Sequence, residues 1–247
     1  MTAPDAARLL VADSFRVRVR DGEAEARGIW QHVARFSWSV MRATGGTLPA
    51  VGNFIDTARD QIASFGAGNP RLELWSVPGG RHELRLSLRP LPELRRTIEL
   101  RSVSPVPLEH PERKGMNIER FAALNRAAGA EAVLTDPHGS AIEGTTTALL
   151  WWEGDALCSV AATARVASVT EALLLALAEG LGVETRTGTA SPRELAGREV
   201  WAVNALHGLR PVTSVDGVPA PTPDGARLER FLRALDTTWE PVRVPEA

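Results

Sequence analysis

Hydrophobic and polar positions along the 247-residue chain alternate between period two and period 3.6, with no long apolar stretch. Residues 11–19 predict a strand, followed by an Asp21-Gly22 turn. Residues 31–42 and 49–65 carry apolar side chains at helical spacing. Strand-like runs follow at 71–77, 82–91 and 97–103. In the middle run Leu84, Leu86 and Leu88 share one face while Arg85, Ser87 and Arg89 share the other. That pattern suits a sheet with one buried side, and the three runs together predict an antiparallel meander. Residues 104–111 then place three prolines in eight positions, which can continue neither a helix nor a central strand. We therefore expect an N-terminal α+β domain over 1–105, a linker over 106–113 and a second domain over 114–247.

The second half predicts a helix over 118–128 ended by Gly129, because glycine readily takes the left-handed cap position. A hairpin is expected next, with strands at 131–135 and 141–152 joined by the turn Asp136-Pro-His-Gly139. A turn at 153–155 leads to a short strand containing Cys158. Ser168-Val-Thr-Glu171 and Ser191-Pro-Arg-Glu194 both fit the S-x-x-E capping box, the second with proline at the first helical position. The first opens an apolar helix reaching about residue 179. Residues 198–204 and 210–215 read as strands on either side of His207-Gly208. The fold class is α+β.

Charge excludes some functions. The formal net charge is −2 and the basic residues are scattered, so neither nucleic acid nor a membrane surface is an expected partner. One cysteine rules out an intramolecular disulfide, and the five histidines lack metal-ligand spacing, so no metal is expected. The first fifteen residues lack the basic start, apolar run and cleavage site of a signal peptide. The longest apolar run, near 172–178, is far short of the roughly 20 residues needed to span a bilayer. A cytoplasmic protein is expected. Tyrosine, a common general acid, is absent.

Lysine usage changes the picture more. Lys114 is the only lysine beside 27 arginines. An arginine stays protonated, whereas a lysine amine can lose its proton and condense with a carbonyl. Lys114 follows the proline-rich stretch directly, where a cleft between two domains is expected to hold a small molecule. Glu143 lies in a run that otherwise reads as buried strand, where a carboxylate is costly unless paired. It is either a strand-end group facing solvent or the partner of a cationic ring nitrogen. Ser168, Val169 and Thr170 stand at a helix N-terminus, whose free N–H groups and hydroxyls suit a phosphate. Arg35, in His32-Val-Ala-Arg-Phe36, reads on its own as a helix-surface residue.

Together these segments resemble the class IV aminotransferase family, the fold-type IV pyridoxal-phosphate enzymes, over nearly the whole chain. His32-Val-Ala-Arg35-Phe36 is similar to the family's H-x-x-R-[LF] helix. Lys114-Gly-Met-Asn117 resembles its Schiff-base lysine segment. Residues 129–144, ending in Ile142-Glu143-Gly144, are similar to G-x-D-E-x-(hydrophobic)₂-x-D-x-x-G-x-(hydrophobic)-x-E-G. Residues 203–212 resemble the closing N-[SA]-x-x-G-[IL]-x-P-V. The G-[IV]-T-R segment departs, reading Ser168-Val-Thr-Glu171 here, and Ala205 stands where a hydroxyl residue is common.

The resemblance implies a two-domain fold like that of D-amino-acid aminotransferase: a smaller N-terminal α/β domain and a larger C-terminal domain with a barrel-like sheet. It implies pyridoxal 5'-phosphate as cofactor, with Lys114 as the Schiff-base and catalytic residue and Glu143 on the ring nitrogen. Arg35, Ser168, Val169, Thr170, Asn204 and Ala205 complete the implied cofactor contacts. It further implies a small-molecule amino substrate and a homodimer. The wording of residues 150–157 and 204–212 is nearer the 4-amino-4-deoxychorismate lyase branch, whose product serves folate biosynthesis. That substrate carries two carboxylates, for which Arg71, Arg89, His207 and Arg210 are candidate contacts. An aminotransferase acting on branched-chain or D-amino acids, and a non-catalytic descendant, are the alternatives.

Overall fold

The computed structural model describes residues 6–46 and 50–243, so the expected helix start at Pro49 lies outside the described residues. The chain forms two compact units, each considered by itself. Unit 1 comprises residues 1–93, 113–116 and 239–247; unit 2 comprises 94–112 and 117–238.

Unit 1 begins with β1 (Arg8–Ser14), β2 (Val17–Arg20) and β3 (Glu23–Arg27), and continues with α1 (Ile29–Thr44), α2 (Val51–Phe65), β4 (Arg71–Val77) and β5 (Arg81–Ser87). The single strand expected over 11–19 is thus two strands, broken at Phe15-Arg16. Its halves join different sheets: β1 pairs with β4, and β2 pairs with β3. The buried face of β1 and β4 carries Val11, Leu72 and Leu74, against which α1 packs through Ile29, Phe36 and Val40. In β5 the leucine face is only half-buried, and Leu88 lies beyond the strand, exposed.

Unit 2 contains β6 (Ile98–Ser102), α3 (Ile118–Ala128), β7 (Glu131–Thr135), β8 (Ala141–Gly144), β9 (Ala148–Glu153), β10 (Ala156–Val160) and α4 (Val169–Gly180). It continues through β11 (Thr185–Gly188), α5 (Pro192–Ala196), β12 (Val200–Asn204), β13 (Gly208–Val215), β14 (Val218–Pro219) and α6 (Gly225–Asp236). The last strand, β15 (Trp239–Pro241), returns to unit 1 and pairs with β3.

The strands of unit 2 form one nine-stranded sheet, ordered β11-β10-β9-β12-β13-β6-β7-β8, with β14 on β13. The sheet curls: Ala141 N at the start of β8 donates to Ala190 O just past β11, at 2.8 Å, joining the two ends of that order. One face packs on itself inside the curl, with Leu149, Trp151, Cys158, Val200, Ala202 and Val212. The alternate residues Leu150, Trp152, Trp201 and Val203 face outward under α4 and α6, as period-two alternation requires. There Trp152, Trp201 and Phe231 meet edge to face at centroid separations of 5.1–5.7 Å, a geometry that aromatic quadrupoles favour.

This arrangement differs from three sequence expectations. β6 is not the third strand of a meander; it runs parallel to β7 and β13 and belongs to unit 2. Local alternation identifies a strand but carries no information about its partner. The run 141–152 is interrupted at 145–147, where Gly144 N donates to Thr147 O (2.8 Å) and closes a turn. The units also divide the chain elsewhere than at 105 and 114. The first change of unit falls at 93/94, and residues 113–116 join unit 1 because Gly115 bridges Val11.

Phe231 is the α6 residue that closes the outer aromatic cluster. Phe231→Ala is expected to destabilise unit 2 by about 3–5 kcal/mol, the typical cost of emptying a buried aromatic site. Chemical denaturation monitored by circular dichroism gives the value.

Candidate functional site

In unit 1 the site is built around the end of β1. Asp13 is 1% exposed and shares its strand face with Val11, toward α1. His32 and Arg35, three apart on α1 and therefore on one helix face, both reach it. His32 Nδ1 donates to Asp13 Oδ1 at 2.8 Å; Arg35 donates from Nε to Oδ2 at 2.7 Å and from Nη2 to Oδ1 at 2.8 Å. The second pair of bonds is the two-pronged guanidinium–carboxylate fork, stronger and more directional than a single contact. Burial alone would raise the Asp13 carboxyl, but the charges of Arg35 and His32 and their hydrogen bonds override it. They hold it far below the usual carboxylate range. Burial pushes His32 down, and the opposing Asp13 charge does not make up the difference. His32 is therefore neutral at pH 7, with its proton on Nδ1, where Asp13 requires a donor.

Lys114 is fixed through its backbone. Ala12 N donates to Lys114 O at 2.8 Å, and Gly115 bridges Val11. Gly115 has φ 117°, and a Cβ there would run into the Ala12 backbone nitrogen, so only glycine permits this approach. The lysine contributes to lowering His32, which places its charge within electrostatic reach of that ring.

By alternation Ser14 and its register partner Arg71 face away from Asp13. On that side Arg89 donates to Ser14 Oγ at 3.1 Å and to Asn69 O at 3.0 Å. Arg71 pairs with the buried Glu73, which also accepts the Trp75 indole N–H at 2.8 Å. Burial and then the Arg71 charge push the Arg89 guanidinium down, against Glu73. The candidates Arg35, Lys114, Arg71 and Arg89 thus all gather on residues 12–14.

In unit 2 Glu143 lies on β8, 6% exposed, and accepts from Val166 N at the long distance of 3.5 Å. Two residues on, Ser168 caps α4, its Oγ accepting from Glu171 N at 3.3 Å; Val169 and Thr170 open the helix, both buried. Glu171 is also buried, and its charge is matched: Arg165 donates from Nη1 to Oε2 at 2.6 Å and from Nη2 to Oε1 at 2.8 Å. Asn204 ends β12, receiving N–H bonds from Leu206 (3.2 Å) and His207 (2.8 Å) on Oδ1, while its Nδ2 donates to Thr146 O at 3.2 Å. This tight turn sets Ala205 between them. The β8–β9 turn is tied further by Glu131, which accepts from Thr146 N at 2.6 Å and from the Thr147 hydroxyl at 3.2 Å.

His207 Nδ1 accepts from Arg95 N at 3.3 Å. Arg210, on β13, is 5% exposed, and its Nε has no hydrogen-bond partner among the described residues. Burial pushes its guanidinium down; Glu131 opposes that and Arg95 adds to it.

Sequence reasoning did not single out Asp13, Glu131 or Arg165 as site residues. Asp13 was readable as a polar residue in an otherwise apolar strand. Arg165 carried no signal, because its partner lies six positions away across an irregular segment. Among the described residues no group of three or more His, Cys, Asp or Glu side chains could hold a metal, and no helix is long and apolar enough to cross a membrane.

The model of the amino-transferase class IV family matches residues 11–215. No curated protein matches the sequence. Among solved structures, the chain is similar to the T.th. branched-chain amino acid aminotransferase with pyridoxamine 5'-phosphate, at TM-score 0.81 and 19% identity over 94% of this chain and 89% of that one. The Thermoproteus uzoniensis branched-chain aminotransferase with norvaline gives 0.78 and 16%, over 94% and 90%. A candidate 4-amino-4-deoxychorismate lyase of Legionella pneumophila gives 0.76 and 15%, over 95% and 91%. These likenesses show the fold-type IV architecture.

The Asp13 network sets an acid limb. As pH falls, unfolded chains protonate His32 near its ordinary 6.5 before folded chains do. Its contribution to stability is therefore complete above that value and lost below it. Asp13, depressed in the fold, adds loss only below its ordinary 3.8. The melting temperature should drop between about pH 7.5 and about pH 5, and less steeply in His32→Gln, whose amide can still donate to Asp13. Equal slopes in differential scanning calorimetry would refute this assignment.

Proposed function

Because the chain belongs to the class IV aminotransferase family, whose members are pyridoxal-phosphate-dependent aminotransferases and lyases, we propose that it binds pyridoxal 5'-phosphate through Lys114 and cleaves 4-amino-4-deoxychorismate to 4-aminobenzoate and pyruvate. The observation that carries the cofactor is the single lysine, at the family's motif position and clamped by its backbone to β1 beside Asp13 and Arg35. Each unit by itself carries donors of the kind the group needs: an amine at Lys114 in unit 1, and in unit 2 a buried carboxylate at Glu143 and a capped helix start at Ser168, Val169 and Thr170.

When bound, the cofactor supplies an aldehyde that condenses with amines and a cationic ring that withdraws electrons from the carbon bearing the substrate nitrogen. Lys114 would hold it between turnovers and, once freed by the substrate amine, would accept the proton from that carbon. The protonated Lys114 amine would return that proton to the departing enolpyruvyl group, giving pyruvate, a loss favoured by formation of the aromatic ring. Glu143 holds a proton on the ring nitrogen, since an opposite charge nearby favours the cation. Arg35 and the N–H groups of Val169 and Thr170 bind the phosphate, with the Ser168 and Thr170 hydroxyls and the Asn204-Ala205 turn. Arg71 and Arg89 in unit 1, and His207 and Arg210 in unit 2, supply cations and donors for two carboxylates; the unpartnered Nε of Arg210 supports that role. A homodimer in the cytoplasm goes with this reading by family resemblance.

A second reading, amino transfer to a keto acid, is supported by the branched-chain aminotransferases among the similar structures. Purified protein with pyridoxal 5'-phosphate is expected to release pyruvate and 4-aminobenzoate in equal amounts from 4-amino-4-deoxychorismate. Lys114→Ala should lower that rate by more than about 10²-fold. Amino transfer without pyruvate release would replace the lyase reading with the second. Cofactor binding with neither reaction would sink both.

A further inference from the structure

Arg165 lies in the irregular segment between β10 and α4 and has no role in the reading above. It is 13% exposed and flanked by two buried carboxylates. Its fork is closed on Glu171, and Nη2 also donates to Val160 O, the last residue of β10, at 3.2 Å. The guanidinium is thereby tied to a strand end on one side and to the first turn of α4 on the other. The next residue in the chain, Val166, points its N–H at Glu143 Oε1. Burial would lower the Arg165 guanidinium, but the Glu171 hydrogen bonds and charge, and then the Glu143 charge, reverse that and hold it more firmly protonated.

We propose that Arg165 is the positioning residue of Glu143: clamped by Glu171 and Val160, it fixes the Val166 N–H against the Glu143 carboxylate. The proposal rests on Glu143 being the ring-nitrogen partner and goes beyond it by assigning the group that sets it. Two carboxylates, at 6% and 5% exposure, each need compensation. One guanidinium bears on both, because its fork satisfies Glu171 through short contacts while the next residue, Val166, brings its N–H to Glu143. It also gives the departure at 171 a physical sense. An acid in the first turn of a helix is favourable, and here it serves as the anchor of a cation held six residues upstream.

The test separates the ring from the phosphate end of the cofactor by using two ligands, pyridoxal 5'-phosphate and pyridoxal, each titrated by equilibrium dialysis. Arg165→Gln is expected to weaken both by a similar factor of about 10–100, the usual effect of removing a group that orients another. Arg165→Lys keeps the charge without the fork and should recover part of the loss. In a Glu143→Gln background Arg165→Gln should add nothing further, because the two act in series.

A merely structural bridge would lower the melting temperature while leaving pyridoxal affinity unchanged, and that result overturns the proposal. So does a loss confined to the phosphorylated ligand, or additivity in the double variant. Should Arg165→Gln not fold, Glu171→Gln, which opens the clamp while leaving the guanidinium in place, is measured the same way with the same criteria. If wild-type protein binds neither ligand, the cofactor reading itself fails. If Glu143→Gln binds pyridoxal as well as wild type does, the ring-nitrogen role fails and takes this proposal with it.

Discussion

A carboxylate with 1% of its surface accessible cannot stand alone in a fold, and Asp13 organises unit 1 through that requirement. Its two oxygens are claimed by His32 and by the fork of Arg35, so α1 is held to β1 in one rotation and one register. Removing any of the three would leave a buried charge or donor uncompensated, which typically costs far more than an ordinary surface contact. The same strand end receives Lys114, whose carbonyl accepts from Ala12, and Arg89, which reaches Ser14 from the opposite face. Lys114 is thus held, through its backbone, at a strand end already fixed for another reason. Gly115 makes the delivery possible, since any side chain there would collide with β1.

Unit 2 solves the equivalent problem with two acids instead of one. Glu143 and Glu171 are both buried; Arg165 closes its fork on Glu171, and the N–H of the next residue, Val166, meets Glu143. In the same unit, Glu131 and Asn204 tie down the β8–β9 turn through backbone N–H and C=O groups. Glu131, Glu171 and Asn204 therefore do not loosen this unit; each is matched to a partner that orders an irregular segment. Those segments bear the candidate groups, while the curled sheet and the Trp152–Trp201–Phe231 cluster provide the rigid support.

Much of the secondary structure was legible because its signals are local. The helix Ile118–Ala128 with Gly129 in the left-handed conformation, and the reciprocal capping box of Ser191 and Glu194, follow from residue chemistry at fixed offsets. Strands 71–77 and 131–135 likewise appear as read. Partnership was not legible. Nothing in the pattern of 97–103 says that β6 lies between β13 and β7, nor that residues 113–116 join unit 1. The split of 11–19 at Phe15-Arg16 was hidden for a similar reason, since both halves are good strands and only pairing separates them. Of the site, the lone lysine was legible from composition, and Glu143 from its apolar surroundings. Asp13 and Arg165 act through side-chain pairs 22 and 6 residues apart, and pairing of that kind emerges only in three dimensions.

The central claim is that Lys114 carries a carbonyl cofactor, and the composition offers a direct test. With one lysine in the chain, borohydride reduction of the protein mixed with pyridoxal 5'-phosphate can mark only that side chain or the terminal amine. Peptide mass spectrometry should find one equivalent of reduced adduct on the peptide containing Lys114, at cofactor concentrations that leave the N-terminal peptide unmodified. Adduct confined to the N-terminus, or none at all on folded protein, would contradict the account.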